Sequence, residues 1–136
     1  MLPPQNERDS GKKTLVLDLD ETLVHSSFKP VEGAHIVQPV EVDGSYQNVY
    51  VLIRPFCEEF IARMSEHYEI VMFTASLSKY AEPLYWKLDK SRITSTLLYR
   101  EHCTFYNGLF VKDMTRLGRS LSDVIIVENS PTSYLF

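Results

Sequence analysis

Two cysteines, Cys57 and Cys103, are all that the 136 residues contain. That is too few for a disulfide framework, so both are expected as thiols in a reducing compartment. Long apolar runs are missing as well: the longest, Thr14–Leu17 and Val124–Val127, are far shorter than a bilayer span. Residues 1–9 lack the apolar core of a secretory signal, and the expectation is a protein that stays inside the cell. Nor is there surplus positive charge. Fourteen Lys and Arg against eighteen Asp and Glu give a net charge of −4, which removes the electrostatic default for binding nucleic acid or an anionic membrane. What is present is an ordinary globular composition, 44% hydrophobic and 24% charged, enough for one buried core and one domain.

Residues 1–12 are polar and read as a loose, flexible tail. Thr14–Leu17 is apolar without alternation, the pattern of a strand buried on both faces, as in a parallel sheet covered by helices. From Ile36 to Ile53 apolar residues alternate around Asp43-Gly44-Ser45, which predicts a β-hairpin. Pro55 then opens a helix over about 55–67, on which Phe56, Phe60 and Met64 recur every four residues. Ile70–Phe73 is a second buried strand, ending at Thr74. Ser76 or Ser78 can cap a following helix carrying Leu84 and Leu88, which Pro83 is expected to break or restart. Asn107-Gly108, between Leu97–Arg100 and Leu109–Lys112, predicts a second hairpin. Met114, Leu117 and Leu121 suggest one short helix, and Val124–Val127 is a third buried strand, ending at Glu128-Asn129. Strands alternating with helices predict an α/β domain with a doubly wound parallel sheet. In such sheets the site lies off the carboxyl ends of the strands, here Asp18, Thr74 and Glu128-Asn129.

Asp18 and Asp20 stand two residues apart where the first strand ends, so both side chains can reach one pocket while Leu19 turns into the core. Two anions held that close call for a counter-cation. Hard carboxylate and carbonyl oxygens, with a carboxamide such as that of Asn129, suit Mg²⁺. Taken alone, the same triplet is also a solvated strand end with Thr22 as a helix cap.

Four strings narrow the choice: Asp-Leu-Asp-Glu-Thr-Leu-Val-His-Ser-Ser-Phe (18–28), Phe-Thr-Ala-Ser (73–76), Val-Lys-Asp (111–113) and Glu-Asn-Ser-Pro-Thr-Ser-Tyr (128–134). From about Lys13 to the last residue the chain resembles the haloacid dehalogenase superfamily, and within it the small phosphatases acting on the C-terminal domain of RNA polymerase II. The resemblance implies a Rossmannoid parallel sheet flanked by helices with a β-hairpin insertion, spanning 13–136 and incomplete at its C-terminus. Family domains continue with another strand and helices, so Val124–Val127 is expected at an exposed edge.

The resemblance also implies a Mg²⁺-dependent protein serine/threonine phosphatase. Asp18 would be the nucleophile that forms an aspartyl-phosphate, Asp20 the general acid, Thr74 a hydroxyl donor to the phosphate and Lys112 a fixed positive charge. An exposed hairpin lysine is the other expectation for Lys112. Metal ligands would be the Asp18 carboxylate, the Asp20 backbone carbonyl and the Asn129 side chain, supported by Thr22 and Glu128. The family usually has Asp where this chain has Glu128, and the extra methylene is expected to weaken catalysis.

Phe28, Val40, Val42, Val49 and Leu77 match positions that line an apolar pocket for a proline, and Tyr80 and Arg100 match positions near the peptide. From the residues alone the valines are better read as hairpin core. The short insertion leaves the site open, which favours a protein substrate, a phosphoserine peptide, first among them Ser-Pro phosphosites of the polymerase tail. No direct nucleic-acid or membrane partner is expected, and residence is expected to be nuclear, as the family suggests, or cytoplasmic. The second function class is a catalytically weak or inactive phosphopeptide-binding relative. His25, His102 and the other two histidines have no partners spaced as in a zinc site or a triad and read as structural.

Overall fold

The computed structural model describes residues 1–134. Its strands and helices in chain order are β1 (Lys13–Leu17), β2 (Val24–Ser27), β3 (Ile36–Val42), β4 (Ser45–Ile53), α1 (Cys57–Met64), β5 (Tyr68–Phe73), α2 (Ser78–Leu88), β6 (Thr96–Leu98), β7 (Thr104–Tyr106), β8 (Leu109–Val111) and β9 (Val124–Val127). Short 3-10 turns fill several of the connections. Among the described residues no helix is long and apolar enough to cross a membrane.

The four parallel strands stand in the order β6-β5-β1-β9. Because successive side chains of a strand point to opposite faces, the unbroken apolar runs of β1 and β5 feed two separate layers. Leu15, Leu17, Ile70 and Met72 pack against Cys57 and Ile61 of α1 and Ala81, Leu84, Tyr85 and Leu88 of α2. Val16, Val71 and Phe73 meet Leu98 and Leu117 on the other face, with Leu2 and Met114 beside them. The α/β class and the parallel sheet are as the sequence implies, but both helices cover one face, and non-helical segments cover the other.

The expected hairpin forms from β3 and β4, with Asp43 (φ 50°) and Gly44 (φ 81°) both left-handed in its two-residue turn, and β2 adds to it as a third antiparallel strand, in the order β2-β4-β3. Other expectations fail for identifiable reasons. Residues 1–12 are laid along the body rather than loose. The Leu2 amide donates to the Leu117 carbonyl (2.8 Å), Arg119 to the Pro3 carbonyl (2.8 Å) and Ser95 to the buried carboxylate of Asp9 (2.8 Å). These polar contacts and the packing of Leu2 hold the segment, so its low apolar content is no guide. The helix expected at 55–67 is only α1, and it faces the core with Cys57 and Ile61, while Phe56 sits in the left-handed region and is 79% exposed. Phe56 and Phe60 thus mark the outer face, and of the expected trio only Met64 packs against the core.

Pro83 does not break α2. It lies on the exposed side of an unbroken helix whose apolar face is held by Ala81, Leu84, Tyr85 and Leu88. Leu97-Leu98 belongs to β6 of the main sheet, and the hairpin around Asn107-Gly108 is built from β7 and β8 instead. Met114, Leu117 and Leu121 form no single helix, because Gly118 (φ 90°) separates two 3-10 turns, Met114–Arg116 and Leu121–Asp123. β9 is at the sheet edge as expected and is only half-buried, with Ile125 42% and Val127 39% exposed.

One buried ion pair ties β1, β5 and the segment before β9 together. Glu69 accepts from Thr14 Oγ1 (2.8 Å) and from Arg119 Nε (3.0 Å) and Nη2 (2.9 Å). Burial by itself pushes the Glu69 carboxyl up, but the Arg119 and Thr14 hydrogen bonds outweigh it and hold the group below its ordinary 4.5. A carboxyl depressed in the folded state adds stability that is complete above its ordinary range and lost as pH falls through the depressed value. Arg119→Ala is therefore expected to lower the unfolding free energy by about 3 kcal/mol at neutral pH, because it leaves a buried charge unpaired. The deficit should shrink toward pH 4 as Glu69 takes up a proton. Urea melts of both chains at the two pH values check this, and a deficit that ignores pH would reject the electrostatic account.

Candidate active site

Parallel register brings three strand ends to one edge. Leu17 is opposite both Met72 and Val127, so Asp18 and Glu128 leave the sheet side by side, with Thr74, which follows Phe73, one residue further on. The Asp18 amide donates to the Val127 carbonyl (3.0 Å) and the Thr74 amide to the Leu98 carbonyl (3.0 Å), which continues the ladder for one residue beyond the strands. Leu19 is fully buried, as the i, i+2 pattern requires.

Asp18 is buried and its two oxygens have different neighbours. Oδ1 accepts from Lys112 Nζ (2.8 Å), and Oδ2 accepts from Thr22 Oγ1 (2.8 Å). Lys112 is 2% exposed, which removes the exposed-hairpin expectation. Its amide donates to the Ser133 carbonyl (2.7 Å), its ammonium lies 5.9 Å from the centre of the Phe73 ring, and it also donates to Glu128 Oε2. Thr22 caps no helix; its hydroxyl is on Asp18.

Charge does not balance in this cluster. Two carboxylates, Asp18 and Glu128, share one ammonium, with the side chains 7%, 2% and 1% exposed. Burial, together with the neighbouring Asp18 charge, raises the Glu128 carboxyl even against the pull of Lys112. An additional cation would relieve that imbalance, and Asn129 offers a position for one. The carboxamide atom of Asn129 that faces Asp18 Oδ2 at 2.8 Å lies 3.0 Å from Glu128 Oε1. With nitrogen there, the amide donates to both carboxylates; with oxygen there, three acceptors converge. Neighbouring oxygens of an octahedral shell with bonds of about 2.1 Å are about 3 Å apart, so these residues fit Mg²⁺. Among the described residues no group of three or more His, Cys, Asp or Glu side chains is placed to hold a metal, which leaves this mixed set as the candidate.

Asp20 does not join that cluster. It is half-buried, and its carboxylate accepts from Ser76 Oγ (2.6 Å) at Oδ2 and from Tyr80 Oη (2.8 Å) at Oδ1. Tyr80 Oη is in turn in contact with Ser26 Oγ. Ser76 therefore spends its hydroxyl on Asp20 and caps nothing, and α2 begins after Leu77 without a side-chain cap. Thr74 Oγ1 accepts from the Ser76 amide (3.0 Å), so its own proton is available to another acceptor.

Of the 18–20 pair, Asp20 lines a cleft, whereas Asp18 is buried and lines neither of the two larger clefts. Asp20, Ser76 and Tyr80 line a cleft of about 560 Å³ under the hairpin, with Phe28, Val40, Val42, Val49, Leu77 and Arg100 on its walls. Val49 is buried and belongs to the hydrophobic core as well, as the hairpin-core reading has it, whereas Phe28 and Leu77 are exposed. Arg100 donates to the Ala75 carbonyl (2.7 Å) and stacks on Phe110. Thr22, Glu128 and Asn129 line a second cleft of about 440 Å³ beside α1. Sequence reasoning missed Ser26 and the hydroxyl role of Ser76. The position of Ser76 two residues after the strand-end Thr74 was the available signal, hidden by its competing reading as a cap. The His25 and His102 rings make local contacts, with Glu21 and with the Tyr99 amide.

Residues 13–136 match the model of the family described as NLI interacting factor-like phosphatase. Over its full length the chain is 55% identical to CTD small phosphatase-like protein 1 of Caenorhabditis elegans and 54% identical to CTD small phosphatase-like protein of Homo sapiens, covering 28% and 49% of those proteins. It spans half the length or less of these curated relatives. In three dimensions it matches the fission yeast RNA polymerase II CTD phosphatase Fcp1 bound to beryllium fluoride, with a TM-score of 0.76 and 19% identity over 90% of this chain and 38% of that one. At that identity the structural likeness concerns the fold. Matched from its first strand to its last residue, the chain belongs to the NLI interacting factor-like phosphatase family.

Proposed function

We propose that the chain carries the catalytic centre of a Mg²⁺-dependent protein serine/threonine phosphatase that works through an aspartyl-phosphate. The observation that carries this reading is the division of labour on Asp18: one oxygen on a buried lysine, the other facing Thr22 and Asn129. Asp18 Oδ1 is then the attacking atom. It forms a bond to phosphorus as the bond from phosphorus to the serine oxygen breaks, and Asp20 gives its proton to that oxygen. Water next attacks the phosphorus, Asp20 takes its proton, and the Asp18 oxygen is released. Lys112 holds positive charge against the phosphoryl oxygens throughout, and the free proton of Thr74 binds one of them. The Asp18 Oδ2 atom, the Asp20 backbone carbonyl and the Asn129 carboxamide would hold Mg²⁺, which supplies the charge that lets a carboxylate approach an anionic phosphate.

The substrate class follows from the first cleft. It is open, apolar on the walls given by Phe28, Val40, Val42 and Leu77, and it ends at Asp20. That shape takes an extended peptide with an apolar residue beside the phosphoserine. Relatives are named as phosphatases of the RNA polymerase II C-terminal domain, and Ser-Pro phosphosites of that tail are the leading candidates here. One observation favours a weak or non-catalytic phosphopeptide binder instead: Glu128 is long enough to take Lys112 as a partner in competition with Asp18.

Three outcomes are expected. Asp18→Asn should lower Mg²⁺-dependent release of phosphate from p-nitrophenyl phosphate at least about a thousandfold without a loss of thermal stability. Retained turnover in that variant rejects the covalent mechanism. Glu128→Asp, which withdraws the carboxylate from Lys112, should raise kcat several-fold if the unaltered chain is a slowed enzyme. Equal phosphopeptide affinity with no release in either chain would favour the binder. Phosphoserine peptides with proline next to the phosphosite should be cleaved about tenfold faster in kcat/KM than the same peptides with alanine, and equal rates would remove the apolar pocket from the account.

A further inference from the structure

Two hydroxyls meet the carboxylate of Asp20, a third backs one of them, and nothing in the proposed chemistry uses them. Ser76 Oγ meets Oδ2 at 2.6 Å from the turn that leads into α2. Tyr80 Oη meets Oδ1 at 2.8 Å from the first turn of α2. Ser26 Oγ, at the end of the chain segment that returns as β2, closes on Tyr80 Oη. Because the single phenolic proton goes to Asp20, Ser26 is the donor in that last contact, so the chain of donors runs from Ser26 to Tyr80 to Asp20.

The backbone of Tyr80 is fixed as well. Gln38 of β3, itself buried, donates from Nε2 to the Tyr80 carbonyl (2.9 Å). Its other amide atom, Oε1, is a buried side-chain atom without a partner among the described residues. A buried unpaired acceptor costs on the order of 1–3 kcal/mol. The hairpin bears that cost at the position that holds the first turn of α2 against it. Tyr80 is thereby pinned at both ends, by Gln38 at its backbone and by Ser26 and Asp20 at its hydroxyl.

We infer that Tyr80, aided by Ser76, is the positioning residue for Asp20 as proton donor, resting on the phosphatase reading above. With Oδ1 kept as an acceptor for Tyr80, the transferable proton of Asp20 is placed on Oδ2, where the Ser76 hydroxyl can rotate to accept it. The segment carrying Ser76 also carries Thr74, the proposed phosphate donor, and the two are joined by the bond from the Ser76 amide to Thr74 Oγ1. The oxygen that would give up the proton is thus the one bonded to the segment that carries Thr74. In the transfer, the Oδ2–H bond breaks, the leaving oxygen gains that proton, and Asp20 is left as a carboxylate still held by both hydroxyls. Tyr80 also lines the peptide cleft, so the same side chain joins the surface that recognises substrate to the group that releases its product.

The test uses leaving groups that differ in their need for a proton. A nitro-substituted phenol departs readily as an anion, whereas unsubstituted phenol gains from protonation as it leaves. In kcat/KM, which ends at formation of the aspartyl-phosphate, Tyr80→Phe in the full chain should raise the ratio of p-nitrophenyl phosphate to phenyl phosphate about tenfold, against the 10²–10⁴-fold that a correctly placed acid typically supplies. Ser76→Ala should move the ratio in the same direction. In an Asp20→Asn background, where no acid remains to be placed, Tyr80→Phe should leave the ratio where Asp20→Asn alone puts it. Parallel loss on both substrates, with the ratio unmoved, overturns the positioning role and leaves Tyr80 a structural or binding residue. Absence of turnover on both substrates by the unaltered chain overturns the phosphatase reading itself, and this inference with it.

Discussion

The constraint on which the rest depends is the burial of one ammonium between two carboxylates. Lys112 reaches Asp18 and Glu128 in a setting almost closed to water. Stripping three charged groups of solvent is expensive unless their geometry is fixed, because attraction at low dielectric compensates only when the partners stay in contact. The fold supplies that fixity from three directions. Asp18 leaves β1, Glu128 leaves the neighbouring β9, and Lys112 follows β8, whose backbone is held by the Ser133 carbonyl. A cluster of this kind does not assemble from one local motif; it requires the parallel sheet to be in register.

Position within the sheet then decides what each group can do. Asp18 directly follows β1, which is flanked by β5 and β9, so its backbone is set by the central strand and its side chain is left to vary only within hydrogen-bond limits. Asp20 lies past the Leu19 anchor, where the chain turns sharply with Glu21 in the left-handed region. There it is within reach of the hairpin and α2 but not of Lys112. Two carboxylates two residues apart in sequence consequently receive different surroundings, one charged and dry, the other lined by neutral hydroxyls. Separate environments are what separate duties as nucleophile and acid require.

Much of this was legible in the chain. The apolar runs of β1 and β5, the hairpin turn at Asp43-Gly44 and the polar residues at three strand ends all follow from period and turn chemistry, and the structure brings those ends to one edge. Errors arose where a local rule had a competitor. Phe56 and Phe60 had helical spacing, yet Pro55 and the left-handed Phe56 rotate the helix so that Cys57 and Ile61 face inward. Pro83 was read as a breaker, but tertiary packing on the opposite face of α2 holds the helix through it. Residues 1–12 have few apolar residues and are placed by Leu2 against the core and by hydrogen bonds to Leu117, Arg119 and Ser95, a kind of anchoring that composition does not register. The hydroxyls around Asp20 were invisible for a related reason: a serine before a helix has an ordinary local use as a cap, and only the fold shows that it is employed elsewhere.

The two halves of the site also differ in how firmly they are built. Tyr80, Ser76 and Asp20 are tied into α2 and the hairpin, whereas Glu128 and Asn129 follow an edge strand whose Ile125 and Val127 are partly in solvent. Among the described residues strand β9 has one neighbour, β1, and its last residues are tied to it by the bond from the Asp18 amide to the Val127 carbonyl and the contact of Asn129 with Asp18. A cation held by Asp18 and Asn129 together would cross-link that edge to the centre of the sheet. Because a ligand that binds only the ordered arrangement stabilises it by mass action, such a cation would couple its own affinity to the order of β9.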